Sequence, residues 1–152
     1  IRDDYRTVMA TCALPGFCRP VKVGEHFYYD GGVADSIPLH HAIEQGCTKM
    51  VVILSNPRDF VKKPEAHRPL YKHMLHKYPK TIQSIDNRHI NYQASIDLAC
   101  RLEKEGYVFI FAPSRHMPLS TFSKDAALEQ DLYDLGVADY EARAEELKYF
   151  LN

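Results

Sequence analysis

Unbroken apolar runs and helix-period runs alternate along this chain. Residues 49–55 hold the apolar centre Met50-Val51-Val52-Ile53-Leu54, and residues 107–112 have the same character. Runs of this length without alternation predict strands covered on both faces. Between them the period lengthens. Ile82, Ile85, His89, Tyr92, Ile96, Ala99 and Leu102 recur at three- and four-residue steps, which predicts a helix over 81–105 with one apolar face. Gly106 marks its end. A shorter helix is predicted over 70–78, separated from the long one by Pro79.

Upstream, residues 2–11 predict the end of a helix, broken at Leu14-Pro15-Gly16. Pro20-Val21-Lys22-Val23 and His26-Phe27-Tyr28-Tyr29 flank Gly24-Glu25, the pattern of a hairpin with a two-residue loop. Ser36 offers an N-cap oxygen and Pro38 a first-turn residue for a helix reaching about Gly46, with Ile37, Leu39, Ala42 and Ile43 as its apolar positions. After Pro113, a loop with Pro118, Ser120 and Thr121 leads to two amphipathic helices, 125–135 and 137–151, joined at Gly136. This order of strands and helices predicts a three-layer α/β/α sheet. Ligands sit at the carboxyl ends of the strands in such sheets, and Asp30 is expected just past one of those ends.

With 152 residues the chain can bury one core, so a single compact unit is expected. A composition 45% hydrophobic and 26% charged is that of an ordinary globular protein. No apolar run approaches the roughly 20 residues that cross a bilayer, and Ile1-Arg2-Asp3-Asp4 does not resemble a signal peptide. A cytoplasmic chain is expected, with peripheral membrane contact allowed. Cys12, Cys18, Cys47 and Cys100 lack C-x-x-C spacing and predict buried free thiols rather than a zinc site or disulfides.

Charge is distributed unevenly. Residues 60–90 carry Lys62, Lys63, Arg68, Lys72, Lys77, Lys80 and Arg88 against Glu65 and Asp86, with four histidines interspersed, whereas residues 123–152 carry three basic side chains against eight acidic ones. Solvated helix faces are the plain explanation. The sharper one is contact of the basic segment with anionic headgroups or nucleic acid. Headgroups are the partner expected here and nucleic acid is not.

Among chemical candidates, Asp30-Gly31-Gly32 stands out. Asp-Gly is first of all a turn dipeptide, but the flank Val33-Ala34-Asp35-Ser36-Ile37-Pro38 leads into a helix instead of a return strand. Two glycines also leave room for a close approach to the carboxylate. Ser55 ends a predicted strand, yet Ile53 and Pro57 occupy positions where a nucleophile elbow needs small residues. His40-His41 and His73-x-x-His76 lack a carboxylate or thiol to complete a metal set. Cys12 has no helix start beside it to activate its thiol.

The blocks Ala10-Thr11-Cys12-Ala13-Leu14-Pro15-Gly16-Phe17, Pro20-Val21, Gly24 and Tyr29-Asp30-Gly31-Gly32-Val33-Ala34-Asp35-Ser36-Ile37-Pro38 resemble the second half of a patatin-like phospholipase, most closely the bacterial single-domain members. Thr11 stands where serine is common. The blocks cover about thirty residues; the later elements agree in pattern only. The resemblance implies a lipid acyl hydrolase with a serine–aspartate dyad and no cofactor or metal, in which Asp30 is the catalytic aspartate supported by Gly31 and Gly32. It further implies a phospholipid or other acyl ester as substrate. The family's oxyanion segment and Gly-x-Ser-x-Gly elbow are absent from these residues, so the 152 residues are expected to be the carboxyl-terminal part of one patatin-like domain. The alternative is a non-catalytic α/β binding or regulatory module in which Asp30 caps a turn. Leu70, Tyr71, Met74, Leu75 and Tyr78 suit either core packing or a lid touching lipid. Apolar sheet edges left by missing strands would favour self-association.

Overall fold

A computed structural model describes residues 5–118 and 124–152. The first part of the predicted 2–11 helix, Ser120 and Thr121 of the predicted loop, and Ser123 lie outside the described residues. The chain is mixed α/β. Its elements are α1 (Arg6–Ala10), β1 (Val21–Val23), β2 (His26–Tyr28), a 3-10 turn at Gly31–Val33, α2 (Leu39–Glu44), β3 (Met50–Ile53), α3 (Arg68–Met74), α4 (Pro79–Lys104), β4 (Val108–Phe111) and α5 (Ala126–Leu151). They fall into two compact units. The first takes the chain up to Pro38 and Lys62–Ile96; the second takes Leu39–Val61 and Asp97–Asn152.

In the first unit β1 and β2 form the expected antiparallel hairpin, in the register Val21↔Tyr28, Lys22↔Phe27 and Val23↔His26. Gly24 turns it with φ +59, a backbone state that glycine adopts without strain. All three β2 residues are exposed, because among the described residues the two short strands pair only with each other. The core of this unit is built by Val33, Leu75 and Ile85, ringed by Tyr29, Tyr71, Tyr78 and Ile82. Tyr29 and Tyr78 meet edge to face with centroids 5.4 Å apart. Burial, reinforced by the neighbouring Tyr78, raises the Tyr29 phenol pKa. Pro79 opens α4, where its missing N–H leaves no bond unmade. The predicted stripe on α4 is its packed side: Ile85, Tyr92, Ile96 and Ala99 are buried.

In the second unit β3 and β4 pair in parallel, Met50↔Val108 through Ile53↔Phe111. A Schellman-type closure, with Tyr107 N–H donating to Leu102 O at 2.9 Å and Gly106 at φ +83, turns the end of α4 toward β4. Val108, Phe109 and Ile110 of β4 are buried. Phe109 stacks with Phe150 and Phe111 with Tyr140, so α5 covers this strand.

Three expectations need correction. β3 is not covered on both faces: Val52 is buried, but Val51 and Ile53 point to an open face, with Ile53 79% exposed. Ser36 does not cap α2; its hydroxyl donates back to Gly32 O at 2.7 Å, and α2 begins only at Leu39. The two predicted carboxyl-terminal helices are one, because a single glycine costs a helix about 1 kcal/mol and does not stop it. Asp125 caps that helix, accepting from Ala127 and Leu128 N–H.

A Cβ built on Gly136 meets nothing within 4 Å. Gly136→Ala is therefore expected to stabilise the chain by up to about 1 kcal/mol, read as a higher urea midpoint at unchanged slope. A loss of stability would show that α5 bends at this residue.

Candidate functional site

Asp30 lies two residues past β2, and its position is fixed by the backbone before its side chain is considered. Its N–H donates to Ala13 O at 3.0 Å, joining the Ala-Leu-Pro turn to the Asp-Gly-Gly turn across sixteen intervening residues. Ala13 is buried, and a larger side chain there would hold the two strands of chain apart. The Asp30 carboxylate then caps the 3-10 turn: Oδ1 accepts the Gly32 N–H at 2.8 Å, while Val33 N–H returns to Asp30 O at 3.2 Å. Among the described residues Oδ2 carries no hydrogen bond, and no serine or threonine hydroxyl bonds to the carboxylate. The expectation that a buried strand of the main sheet presents this group is corrected. Asp30 follows an exposed hairpin strand in the first unit, whereas the parallel pair β3 and β4 lies in the second.

The glycines divide the work unequally. A Cβ on Gly32 would come within 3.3 Å of Asp30 Oδ1, so a side chain here displaces the carboxylate. A Cβ on Gly31 would meet nothing within 4 Å.

Arg88 was not singled out by the sequence reasoning. From α4 its Nε donates to Gly32 O at 3.1 Å, sharing that carbonyl with Ser36, while its NH1 reaches Glu65 at 3.1 Å. Asn91, one turn on, donates to Ala34 O at 3.4 Å. α4 thus holds the carbonyl side of the turn whose amide side is held by Asp30. The readable signal was spacing: Arg88 stands three residues after Ile85 and four before Tyr92, a charge in register with the apolar stripe. Lys62 joins this cluster through Glu65 at 3.8 Å and the Tyr92 ring. Burial, with the charge of Arg88 second, lowers the Lys62 ammonium pKa. His89, on the same stripe, has Nδ1 buried without a hydrogen-bond partner among the described residues.

A second constellation in this unit binds α3 to α4. Arg68 grips Asp86 with two bonds of 2.8 and 2.6 Å, and the Tyr71 hydroxyl donates to the same carboxylate at 2.6 Å. These donors, Arg68 first and Tyr71 second, hold the Asp86 pKa down at about 2. The candidate lid divides at this helix. Tyr71, Leu75 and Tyr78 pack into the core, with Leu75 2% exposed, whereas Leu70 and Met74 face outward.

In the second unit a cleft of about 440 Å3 lies past the carboxyl ends of β3 and β4, bordered by Arg58, Asp59, Ser114, Asp139 and Arg143. That position suits a ligand in an open α/β sheet, but its cations are already engaged. Arg58 forks onto Glu103, and both Arg58 and Arg143 donate to Ile110 O, at 3.1 and 2.6 Å. Glu103 returns the bond by accepting the Ile110 N–H at 3.2 Å, and its pKa is lowered chiefly by Arg58. An apolar groove of about 300 Å3 runs between Val51 and Ile53 on β3 and Leu132, Leu135 and Tyr140 on α5.

The remaining candidates lie apart from Asp30. Ser55 follows β3, and its hydroxyl lies 3.5 Å from the Asn56 amide. His41 faces Glu44 at 3.7 Å, and His76 Nδ1 lies 2.9 Å from its helix neighbour His73 O. The thiols are free, but the expectation that they are buried fails. Cys12, Cys18 and Cys47 are exposed, because the tight turns that carry them leave little chain to cover them.

The profile of the patatin-like phospholipase family matches residues 5–43, and that of a domain of unknown function, DUF6363, matches residues 78–152. An uncharacterized protein of Escherichia coli (strain K12), YjjU, is 37% identical over 59 residues, which are 38% of this chain and 16% of that relative. No solved structure matches. The mixed α/β architecture is compatible with a patatin-like α/β fold, and the partial match points to a family of lipid hydrolases.

Replacing Asp30 by alanine is expected to cost about 1 kcal/mol, and by asparagine much less, since the amide oxygen can still accept from Gly32. Equal losses in urea denaturation would mean that the cap contributes little. For Asp86, the folded pKa of about 2 lies below the ordinary 3.8. Its stabilisation is therefore present above the ordinary value and disappears as pH falls toward 2. The stability difference between the native chain and Asp86→Asn should accordingly shrink on acidification through this window, and shrink with added salt, because the pair is at the surface.

Proposed function

We propose that this chain supplies the aspartate half of a patatin-like serine acyl hydrolase, with Asp30 as the base of a serine–aspartate dyad and Gly31 and Gly32 as its supporting motif. The observation that carries this reading is the coincidence of the family match over residues 5–43 with a turn that fixes the Asp30 carboxylate by one oxygen and leaves the other unbonded among the described residues. In this mechanism a serine hydroxyl attacks the carbonyl of a phospholipid or other acyl ester and gives its proton to Asp30, which passes it to the departing alcohol as the ester C–O bond breaks and an acyl-serine is left. Water then releases the acyl group from the serine. A carboxylate is a weak base for a hydroxyl, so rigid placement matters more than basicity. The bonds from Asp30 N–H to Ala13 and from Arg88 to Gly32 O would provide that placement.

The nucleophile and oxyanion donors would come from a longer polypeptide, of which these 152 residues form the carboxyl-terminal part of one domain. Among the described residues β3 is paired along one edge, with β4, which supports this arrangement, since further strands of the sheet would continue from its other edge. Without them the same apolar edge would favour self-association. The working location on this reading is the cytoplasm, in peripheral contact with membrane. Among the described residues no helix is long and apolar enough to cross a membrane.

The competing assignment, a non-catalytic module, draws on the capping bond itself, because a carboxylate that only closes a turn needs no further partner. Fluorophosphonate labelling followed by intact mass separates the two. A longer natural form should take up one label, and Asp30→Asn in that form should lower kcat by about 100- to 10,000-fold. The 152 residues alone should neither take up label nor hydrolyse an ester. An unlabelled full-length protein, or an Asp30→Asn variant with full activity, would refute the hydrolase assignment.

A further inference from the structure

Two thiols, Cys12 and Cys18, stand at the ends of the turn that seats Asp30, and the hydrolase mechanism uses neither. Backbone bonds fold this segment onto itself. Leu14 N–H donates to Cys12 O at 3.0 Å, and the N–H groups of Phe17 and Cys18 both donate to Leu14 O, at 3.1 and 2.9 Å. Pro15 and Cys18 meet in a β-bridge. The fold of the segment brings the Cys18 sulfur to 4.0 Å from the Cys12 carbonyl oxygen, so one side chain already reaches the backbone of the other. Both thiols are free and exposed. Cys12 Sγ lies 4.0 Å from the Thr11 hydroxyl, which itself donates to Val8 O at 2.8 Å. A thiol is a weak hydrogen-bonding group, and an exposed side chain changes rotamer within nanoseconds, so this contact does not fix Cys12 away from Cys18.

Ala13, the residue after Cys12, is buried, and its carbonyl accepts the Asp30 N–H at 3.0 Å. A cross-link from Cys12 to Cys18 would therefore close a short ring of chain around that acceptor. A closed ring has fewer conformations to adopt when it releases Asp30, so the bond would open less often. Cys47 and Cys100 lie in the second unit, Cys47 just after α2 and Cys100 within α4.

We propose that Cys12 and Cys18 are a redox-responsive pair, which a small disulfide such as glutathione disulfide converts to an internal disulfide that tightens the seat of Asp30. One protein thiolate attacks the reagent's S–S bond and displaces one glutathione thiolate; the second protein thiolate then attacks the mixed disulfide and displaces the other. Two protein S–H bonds and one glutathione S–S bond are lost, and one protein S–S bond and two glutathione S–H bonds are formed. The protein gives up two electrons and the reagent takes them. The pair does not depend on the assignment of Asp30 as a base.

The test exposes the 152-residue chain to glutathione disulfide and reads intact mass, a protease digest and amide hydrogen exchange. The peptide that holds Cys12 and Cys18 should lose two hydrogens, and a dithiol reductant should restore them. At a fixed ratio of glutathione to its disulfide, the internal bond should be at least about tenfold more favoured in the folded chain than in guanidinium chloride, because the fold raises the effective concentration of one thiol at the other. Oxidation should slow exchange of the Asp30 amide at least about threefold. Cys12→Ser should end as a glutathione adduct at Cys18, with Asp30 exchange unmoved. Stable glutathione adducts on both thiols, a cross-link to Cys47 or Cys100, equal disulfide fractions in folded and unfolded chains, or an Asp30 amide that exchanges equally fast in both redox states would each overturn the proposal. Asp30→Asn should form the same disulfide as the native chain, so an inactive full-length protein would refute the hydrolase assignment and leave the thiol pair standing.

Discussion

The hydrogen bond from Asp30 N–H to Ala13 O is the contact around which the first unit is organised. It joins two turns that are far apart in sequence, and it requires a small buried residue at position 13 and no intervening side chain. Once it forms, the Gly31–Val33 turn can close under the Asp30 carboxylate, and Val33 is delivered to the core beside Leu75 and Ile85. α4 completes the arrangement from the other side through Arg88 and Asn91, which take the carbonyls of Gly32 and Ala34. A turn held by backbone on one side and by a guanidinium on the other has little freedom to move its carboxylate. That rigidity suits a catalytic base and a structural cap equally well, which is why labelling chemistry and not geometry separates the two roles.

The second unit solves a different problem, the outer edge of a short sheet. β4 gives one side of its backbone to β3, and among the described residues the Ile110 N–H and C=O on the other side have no strand to pair with. Buried backbone groups need partners, and here side chains supply them: Glu103 accepts from the N–H, and Arg58 and Arg143 donate to the carbonyl. Arg143 also lies 4.4 Å above the Phe109 ring, so one guanidinium seals both the edge and the packed face. Among the described residues β3 has no such seal. The outer edge of β4 is closed by side chains and that of β3, among the described residues, carries no strand, so the sheet can be extended from the β3 side.

Burial and exposure are also divided within α3. Arg68 and Tyr71 fasten the helix to Asp86, and Leu75 anchors it in the core, so Leu70 and Met74 are held outward by contacts made on the opposite side. Their exposure follows from how the helix is tied down and not from looseness of the segment.

Sequence alone determined the kind and order of elements. Hairpin chemistry at Gly24-Glu25, the three- and four-residue stripe of α4, and the apolar runs of β3 and β4 are local signals, and the structure follows each of them. Asp30-Gly31-Gly32 was legible as the leading chemical candidate for the same reason, since a carboxylate beside glycines leading into a helix is a pattern within a few residues. Tertiary structure decided what those elements face. That Val51 and Ile53 stand open and that Arg88 holds the carbonyl side of the Asp30 turn depend on partners distant in the chain. Periodicity records how often a residue turns toward a neighbour; only packing settles which neighbour is there to meet it.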